Sequence, residues 1–215
     1  ARVERGILVA GPNSGLRLPP AAGVRAAALW VRSDPARSMV WLDGGSQAHL
    51  RGFLLGSFGP GPGGRPLYGP WPEGRGFWFG LWQVECLVPL DDQRGPWHHV
   101  AVSCDGDRVR LAVDGMFPSG WIANGPSRSP AIRSEQPFQV PGAIPPAGGD
   151  GIQIGFHRHG HPDWWAGDGE FQGTLDEVAL WDRPLSREEM EALPTYAARG
   201  ESYCRAIGEA LRAPR

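Results

Sequence analysis

Lysine is missing altogether, since all 21 basic residues are Arg. Schiff-base and P-loop lysine mechanisms are therefore out. Against 23 acidic residues the formal net charge is −2, and no basic run tracks a phosphate backbone, so nucleic acid is not an expected partner. Asn occurs only twice, which with the Arg-only usage points to GC-rich coding rather than to chemistry. Every apolar run is broken by Gly, Pro or charge short of the ~20 residues that span a bilayer, so this segment is not expected to insert into a membrane. Three cysteines, Cys86, Cys104 and Cys204, lack metal-site spacing. One disulfide with a free thiol, or three buried thiols, fits them equally well. The chain opens at Ala1 rather than Met, which fits removal of a leader or of a preceding domain.

Gly and turn residues are plentiful instead. The 32 Gly and 22 Pro make up about a quarter of the 215 residues, which excludes helical bundles and coiled coils. Ten Trp and eight Phe supply a core that a disordered chain lacks.

Short alternating runs fill the first 180 positions. Val100, Val102 and Cys104 share one face and Ala101 and Ser103 the other. Asp105-Gly106 then suits a hairpin turn. The return run carries Val109, Leu111 and Val113, Asp114-Gly115 repeats the turn chemistry, and Met116-Phe117 opens a third strand. Further strands are expected at 27–32, 38–42, 50–58, 76–85, 152–156 and 175–181, in the rhythm of a sandwich. Two Gly- and Pro-rich stretches, 59–76 and 124–151, interrupt it with Tyr68, Trp71 and Phe138. Near the end, Ser186 and Glu189 form a capping box with Leu185 and Met190 as its staple, predicting a helix over 187–193. A second helix is expected over 199–212, with Tyr203, Ile207 and Leu211 on one face.

The stretch Trp97-His98-His99-Val100 to Asp105-Gly106, continued through Val109 to Asp114-Gly115, resembles the central hairpin of laminin-G-like domains. These belong to the concanavalin-A-like lectin and glucanase superfamily. Phe171-Gln172-Gly173-Thr174-Leu175-Asp176-Glu177-Val178-Ala179-Leu180-Trp181, followed by Arg183-Pro184-Leu185-Ser186, resembles their closing strand, turn and helix. Segments 14–19 and 28–32 resemble their first two strands. The resemblance implies an all-β jelly-roll sandwich of two antiparallel sheets over 1–193, with a helical extension over 194–215. It also implies structural roles for His98 and His99.

Glycoside hydrolysis needs carboxylates facing across a sugar. The Glu-x-Asp-x-x-Glu of laminarinase-type relatives is missing, and Asp176 and Glu177, being adjacent, should point to opposite faces. No Gly-x-Ser-x-Gly elbow occurs. His157, His159 and His161 have chelating spacing for Zn²⁺ or Cu²⁺, and the resemblance to laminin-G-like domains implies a rim Ca²⁺, for which Asp163 and Asp168 are the nearest candidates. Trp78 and Trp82, on one side of a strand, and the loop pair Trp164 and Trp165 are candidate anchors for a partner or a sugar; an inserted loop such as 59–76 folding over the strand, and the pair tucking under its own loop, account for them equally well. The expectation is a non-enzymatic module without an obligatory cofactor. Its first reading is protein–protein contact in an adhesion protein or larger assembly. The alternative is a lectin-like carbohydrate-binding module, calcium-assisted. Family habit favours an extracellular or secretory setting.

Overall fold

The computed structural model describes residues 2–4, 7–10, 15–18, 23–33, 39–44, 54–58, 76–81, 84–89, 97–124, 127–128, 132–133, 136–140, 151–155, 171 and 173–199. The strands are β1 (Arg2–Glu4), β2 (Ile7–Ala10), β3 (Leu16–Leu18), β4 (Ala26–Ser33), β5 (Met39–Asp43), β6 (Leu54–Phe58), β7 (Gly76–Leu81) and β8 (Val84–Pro89). They continue as β9 (His98–Asp105), β10 (Arg108–Val113), β11 (Trp121–Asn124), β12 (Ser127–Arg128), β13 (Phe138–Gln139), β14 (Ile152–Ile154) and β15 (Gly173–Trp181), followed by helix α1 (Arg187–Ala198). Two antiparallel sheets result, as the all-β jelly-roll reading requires. One runs β1-β2-β15-β4-β9-β10-β13 and the other β12-β11-β8-β7-β6-β5-β14-β3.

Alternation sorts the side chains. Ala27, Leu29 and Val31 of β4, Val100, Val102 and Cys104 of β9, and Val109, Leu111 and Val113 of β10 face the second sheet. There they meet Leu42, Leu55, Phe77, Cys86, Val88, Ile152 and Ile154. Trp41 joins them although Leu42 is its neighbour, because a register shift between Val40 and Leu42 turns both inward. Its ring stacks on Phe77 with centroids 6.3 Å apart. Cys86 and Cys104 are both buried and neither is part of a disulfide, one coming from each sheet. Burial pushes the Cys104 thiol up, against the pull of Arg25, so it stays protonated. Cys204 lies outside the described residues.

The seven-stranded sheet has a second apolar layer on its outer face. Ala26, Ala28, Ala101 and Ala112 form a floor of small side chains that lets α1 approach closely with Leu185, Met190 and Leu193. The approach to the helix is fixed by Ser103, whose hydroxyl donates to the Leu185 carbonyl at 3.0 Å and accepts from the Leu185 amide at 2.8 Å. At the N-cap the Glu189 amide donates to the Ser186 hydroxyl at 3.2 Å, and the Ser186 amide donates to the Glu189 carboxylate at 2.7 Å. This is the expected capping box. Arg183 adds a fork of 2.7 and 3.0 Å on the same carboxylate. Burial works against the Glu189 charge, but these donors hold its carboxyl below its usual range.

The expected helix end at 193 falls short. α1 runs through Pro194 to Ala198, because Tyr196 packs on the apolar layer and carries the chain past the proline. Residues 200–215, including the second expected helix, lie outside the described residues. Three other expectations change. The run 76–85 is a hairpin of β7 and β8, with Leu81 opposite Val84. The two residues between Leu81 and Val84, Trp82 and Gln83, include no Gly, Asn or Asp to mark a turn, which hid it. Met116 makes only a bridge to Val113, so no third strand continues from β10; β11 enters the other sheet instead. The stretch 124–151 contains β12 and β13, and Phe138 lies in the core. Two strands unforeseen in the sequence, β1 and β2, extend the seven-stranded sheet beyond β15.

Both turns of the central hairpin region use positive φ. Asp105 pairs with Arg108, so the two-residue loop is Gly106-Asp107, with Gly106 at φ +61°. Asp114 and Gly115 both take positive φ, +52° and +77°, the type I′ pattern. A Cβ on Gly115 would lie 3.0 Å from the Glu191 carbonyl oxygen and 3.2 Å from Pro194 Cγ, whereas one on Gly106 would meet nothing within 4 Å. Gly106→Ala should therefore cost about 1 kcal/mol for the left-handed backbone alone. Gly115→Ala should cost about 2–4 kcal/mol because α1 must also lift. Urea unfolding midpoints of the two variants check this ordering.

Candidate ligand-binding face

With α1 seated on the outer face of the seven-stranded sheet, the register of the other sheet defines a second outer face. Leu42 and Ile154 are opposite one another and core-facing, so the next pair, Asp43 and Gln153, falls on the outer side. Gln153 is in turn opposite Arg17 of the edge strand β3. The row continues through positions Leu54, Gly80, Glu85 and Ala123. A second row, two residues along, joins positions Gly56, Trp78, Leu87 and Trp121. Asp43 is 1% exposed and Gln153 4%, while Arg17 is exposed. Arg17, Gln153 and Asp43 thus occupy successive positions of one row, with Cβ atoms about 5 Å apart between neighbouring strands. Gln153 Oε1 is buried and accepts no hydrogen bond from the described residues.

Of the candidate binding and metal residues named in the sequence, only Trp78 falls on a described element, at an outer-face position of β7. Trp82, Trp164, Trp165, His157, His159, His161, Asp163 and Asp168 lie outside the described residues. Sequence reasoning missed Arg17, Asp43, Gln153 and Trp121. Alternation in Ile152-Gln153-Ile154 exposed Gln153 as the odd polar residue, but nothing local showed that β3 and β5 flank it.

The histidines lie at the end of the other sheet. Asp114 Oδ2 pairs with His98 Nδ1 at 2.8 Å, its Oδ1 accepts the His99 amide at 2.8 Å, and its own amide donates to the His99 carbonyl at 2.8 Å. Burial opposes the Asp114 charge, but these partners hold its carboxyl below its usual range. His99 is buried edge-on to Trp30, with centroids 5.3 Å apart. Burial lowers its pKa to about 4, against the pull of Asp114.

Asp176 and Glu177 do not simply alternate. The ladder to β4 slips between Asp176 and Ala179, and Glu177 sits at φ +48° as the extra residue. The Glu177 amide donates to Asp176 Oδ1 at 2.8 Å. The bulge resets the phase, so that Leu175 and Val178 both pack toward the core while Ala179 and Trp181 meet α1.

No family profile and no curated protein sequence matches the chain. Among solved structures it is similar to a heptameric SAP-like pentraxin from Limulus polyphemus (TM-score 0.53, 13% identity, 88% of this chain and 82% of that one). It is also similar to Domain 4 of AbnA, a GH43 extracellular arabinanase from Geobacillus stearothermophilus, in complex with arabinotriose (TM-score 0.52, 16% identity, 84% and 72%). A third is the mouse laminin alpha1 chain, domains LG4-5 (TM-score 0.51, 16% identity, 86% and 44%). The fold is a laminin-G-like jelly roll. The chain spans less than half of the laminin fragment's length. In this jelly roll the Trp-His-His-Val and Val-Asp-Gly segments meet at Asp114, which joins the start of β9 to the turn after β10.

His99 ties this end of the jelly roll to pH. Its folded pKa lies below the unfolded 6.5, so between pH 6.5 and 4 the unfolded chain binds the extra proton and stability falls with pH. The displacement is worth about 3 kcal/mol. Unfolding free energies from urea titrations between pH 7 and 4 should decline by that amount more in the native protein than in His99→Gln. Equal slopes would contradict the assignment.

Proposed function

We propose that this jelly roll is a non-catalytic carbohydrate-binding module that works through the outer face of its eight-stranded sheet. The observation that carries the reading is the row Arg17–Gln153–Asp43, next to the row holding positions Trp78 and Trp121. Residue types that donate, accept and do both, in a row next to positions Trp78 and Trp121, match the two surfaces of a sugar: hydroxyl edges and an apolar ring face. Shelter from solvent strengthens such polar contacts. The arabinanase domain, described in complex with arabinotriose, shares the fold and supports the reading as an analogy.

Among the described residues of this face, the carboxylate spacing does not favour a hydrolase. Positions Asp43 and Glu85 share the row but stand three strands apart, about 14 Å, beyond the ~10 Å over which paired carboxylates act. The protein-contact reading drew mainly on loop and tryptophan segments outside the described residues, whereas the polar row speaks for a sugar. A secreted or cell-surface setting fits a carbohydrate ligand.

Titration calorimetry against arabinotriose, xylotriose, cellotriose, laminaritriose and maltotriose at millimolar concentration, with and without Ca²⁺, tests this. Binding of at least one trisaccharide, recovered uncleaved by chromatography, is expected. Cleavage would make the chain a hydrolase, and no binding across the panel would overturn the carbohydrate reading.

A further inference from the structure

We infer that Asp105 is a covalent modification site: of the Asp-Gly pairs the structure describes, it is the one that closes to a succinimide and reopens as isoaspartate. The sequence holds five such pairs, beginning at Asp43, Asp105, Asp114, Asp150 and Asp168. Asp150 and Asp168 lie outside the described residues. A following glycine leaves the attacking amide nitrogen uncrowded, so the pairs are alike in sequence and the fold must separate them. Ring closure joins the Gly106 nitrogen to Asp105 Cγ, and the amide proton leaves with the carboxyl hydroxyl as water. Water then opens the ring at the Asp105 backbone carbonyl, which becomes a free carboxylate while the chain runs on through the former side-chain carbonyl. One water leaves and one enters, and no other reactant is needed.

An extended strand holds the aspartate Cγ away from the next nitrogen, so the residue must first swing out of its ladder. Asp43 is 1% exposed and paired on both sides, with Leu54 of β6 and Gln153 of β14. Asp114 is clamped, with its carboxylate oxygens bonded to His98 Nδ1 and to the His99 amide at 2.8 Å each. Those bonds also keep it ionised, whereas the ring closes faster from the neutral acid, whose hydroxyl is the better leaving group. Gly115 beside it is pinned under α1, where a Cβ would lie 3.0 Å from the Glu191 carbonyl oxygen.

Asp105 escapes these restraints. It is the exposed last residue of β9, paired across the turn with Arg108, and its carboxylate has no partner among the described residues. Gly106 is exposed at φ +61° with open space around its Cβ position. Releasing one terminal pair is the smallest local opening this hairpin offers. The product lengthens the backbone by one carbon beside Asp107, whose carbonyl holds the Val140 amide at 2.9 Å, and so loosens the junction of β10 with β13.

The test holds the native chain for weeks in neutral buffer at body temperature, digests it at arginine and locates isoaspartate by electron-transfer fragmentation. Cleavage at arginine puts the three sites on separate peptides, 38–51, 95–108 and 111–128. Isoaspartate at 105 should exceed that at 43 and at 114 at least tenfold. In the guanidinium-unfolded chain the three should convert at similar rates. Asp105→Glu, which must close a six-membered ring, should lose the signal. Asp105→Asn should convert faster than the native residue, with ammonia leaving in place of water. Isoaspartate at 43 or 114 equal to or above that at 105 in the folded protein, or none at 105, would overturn the inference.

Discussion

The whole arrangement depends on a sheet that must be covered on both faces. The strands β4, β9 and β10 carry Val and Leu on one side and Ala on the other. Valine and leucine demand a second sheet. Alanine demands something that can come close, and a helix laid on small side chains does so. The seven-stranded sheet is therefore the middle of three layers, with the eight-stranded sheet across the shared core on one side and α1 on the other. Because α1 occupies the outer face of the seven-stranded sheet there, the face we propose for a ligand is the outer face of the eight-stranded sheet.

Polar contacts fix where that helix lands. Ser103 holds both backbone groups of Leu185, Glu189 is clamped by Arg183 and the Ser186 amide, and Gly115 lets the helix backbone rest on a hairpin turn. The same turn presents Asp114 to His98 and His99. Helix docking and the histidine end of β9 are thus coupled through two residues, Asp114 and Gly115. The acid sensitivity of His99 and the steric demand of Gly115 are two consequences of one loop.

Much of the fold could be read from alternation and turn chemistry. Val100 to Cys104 and Val109 to Val113 face the core as their period of two requires, and Ser186 and Glu189 cap the helix they announce. What failed did so where local signals were silent. The β7–β8 reversal has no turn residue to mark it, Pro194 reads as a stop although packing carries α1 beyond it, and the bulges at Trp41 and Glu177 shift phase without a glycine. The candidate face was less legible still. Arg17, Asp43 and Gln153 are far apart in sequence, and only the order β3-β14-β5 brings them into one row. Aromatic and histidine clusters drew attention because their chemistry is visible residue by residue; a row made by register is not.

The most direct test of the central claim, that the ligand sits on the outer face of the eight-stranded sheet, is backbone amide NMR with a binding trisaccharide at saturation. Perturbations should centre on Arg17, Asp43 and Gln153, extend toward Trp121, and leave Ala101, Ala112 and Met190 at the helix layer unchanged. Perturbations confined to the helix side, or to the histidine end around Trp30 and His99, would contradict the account.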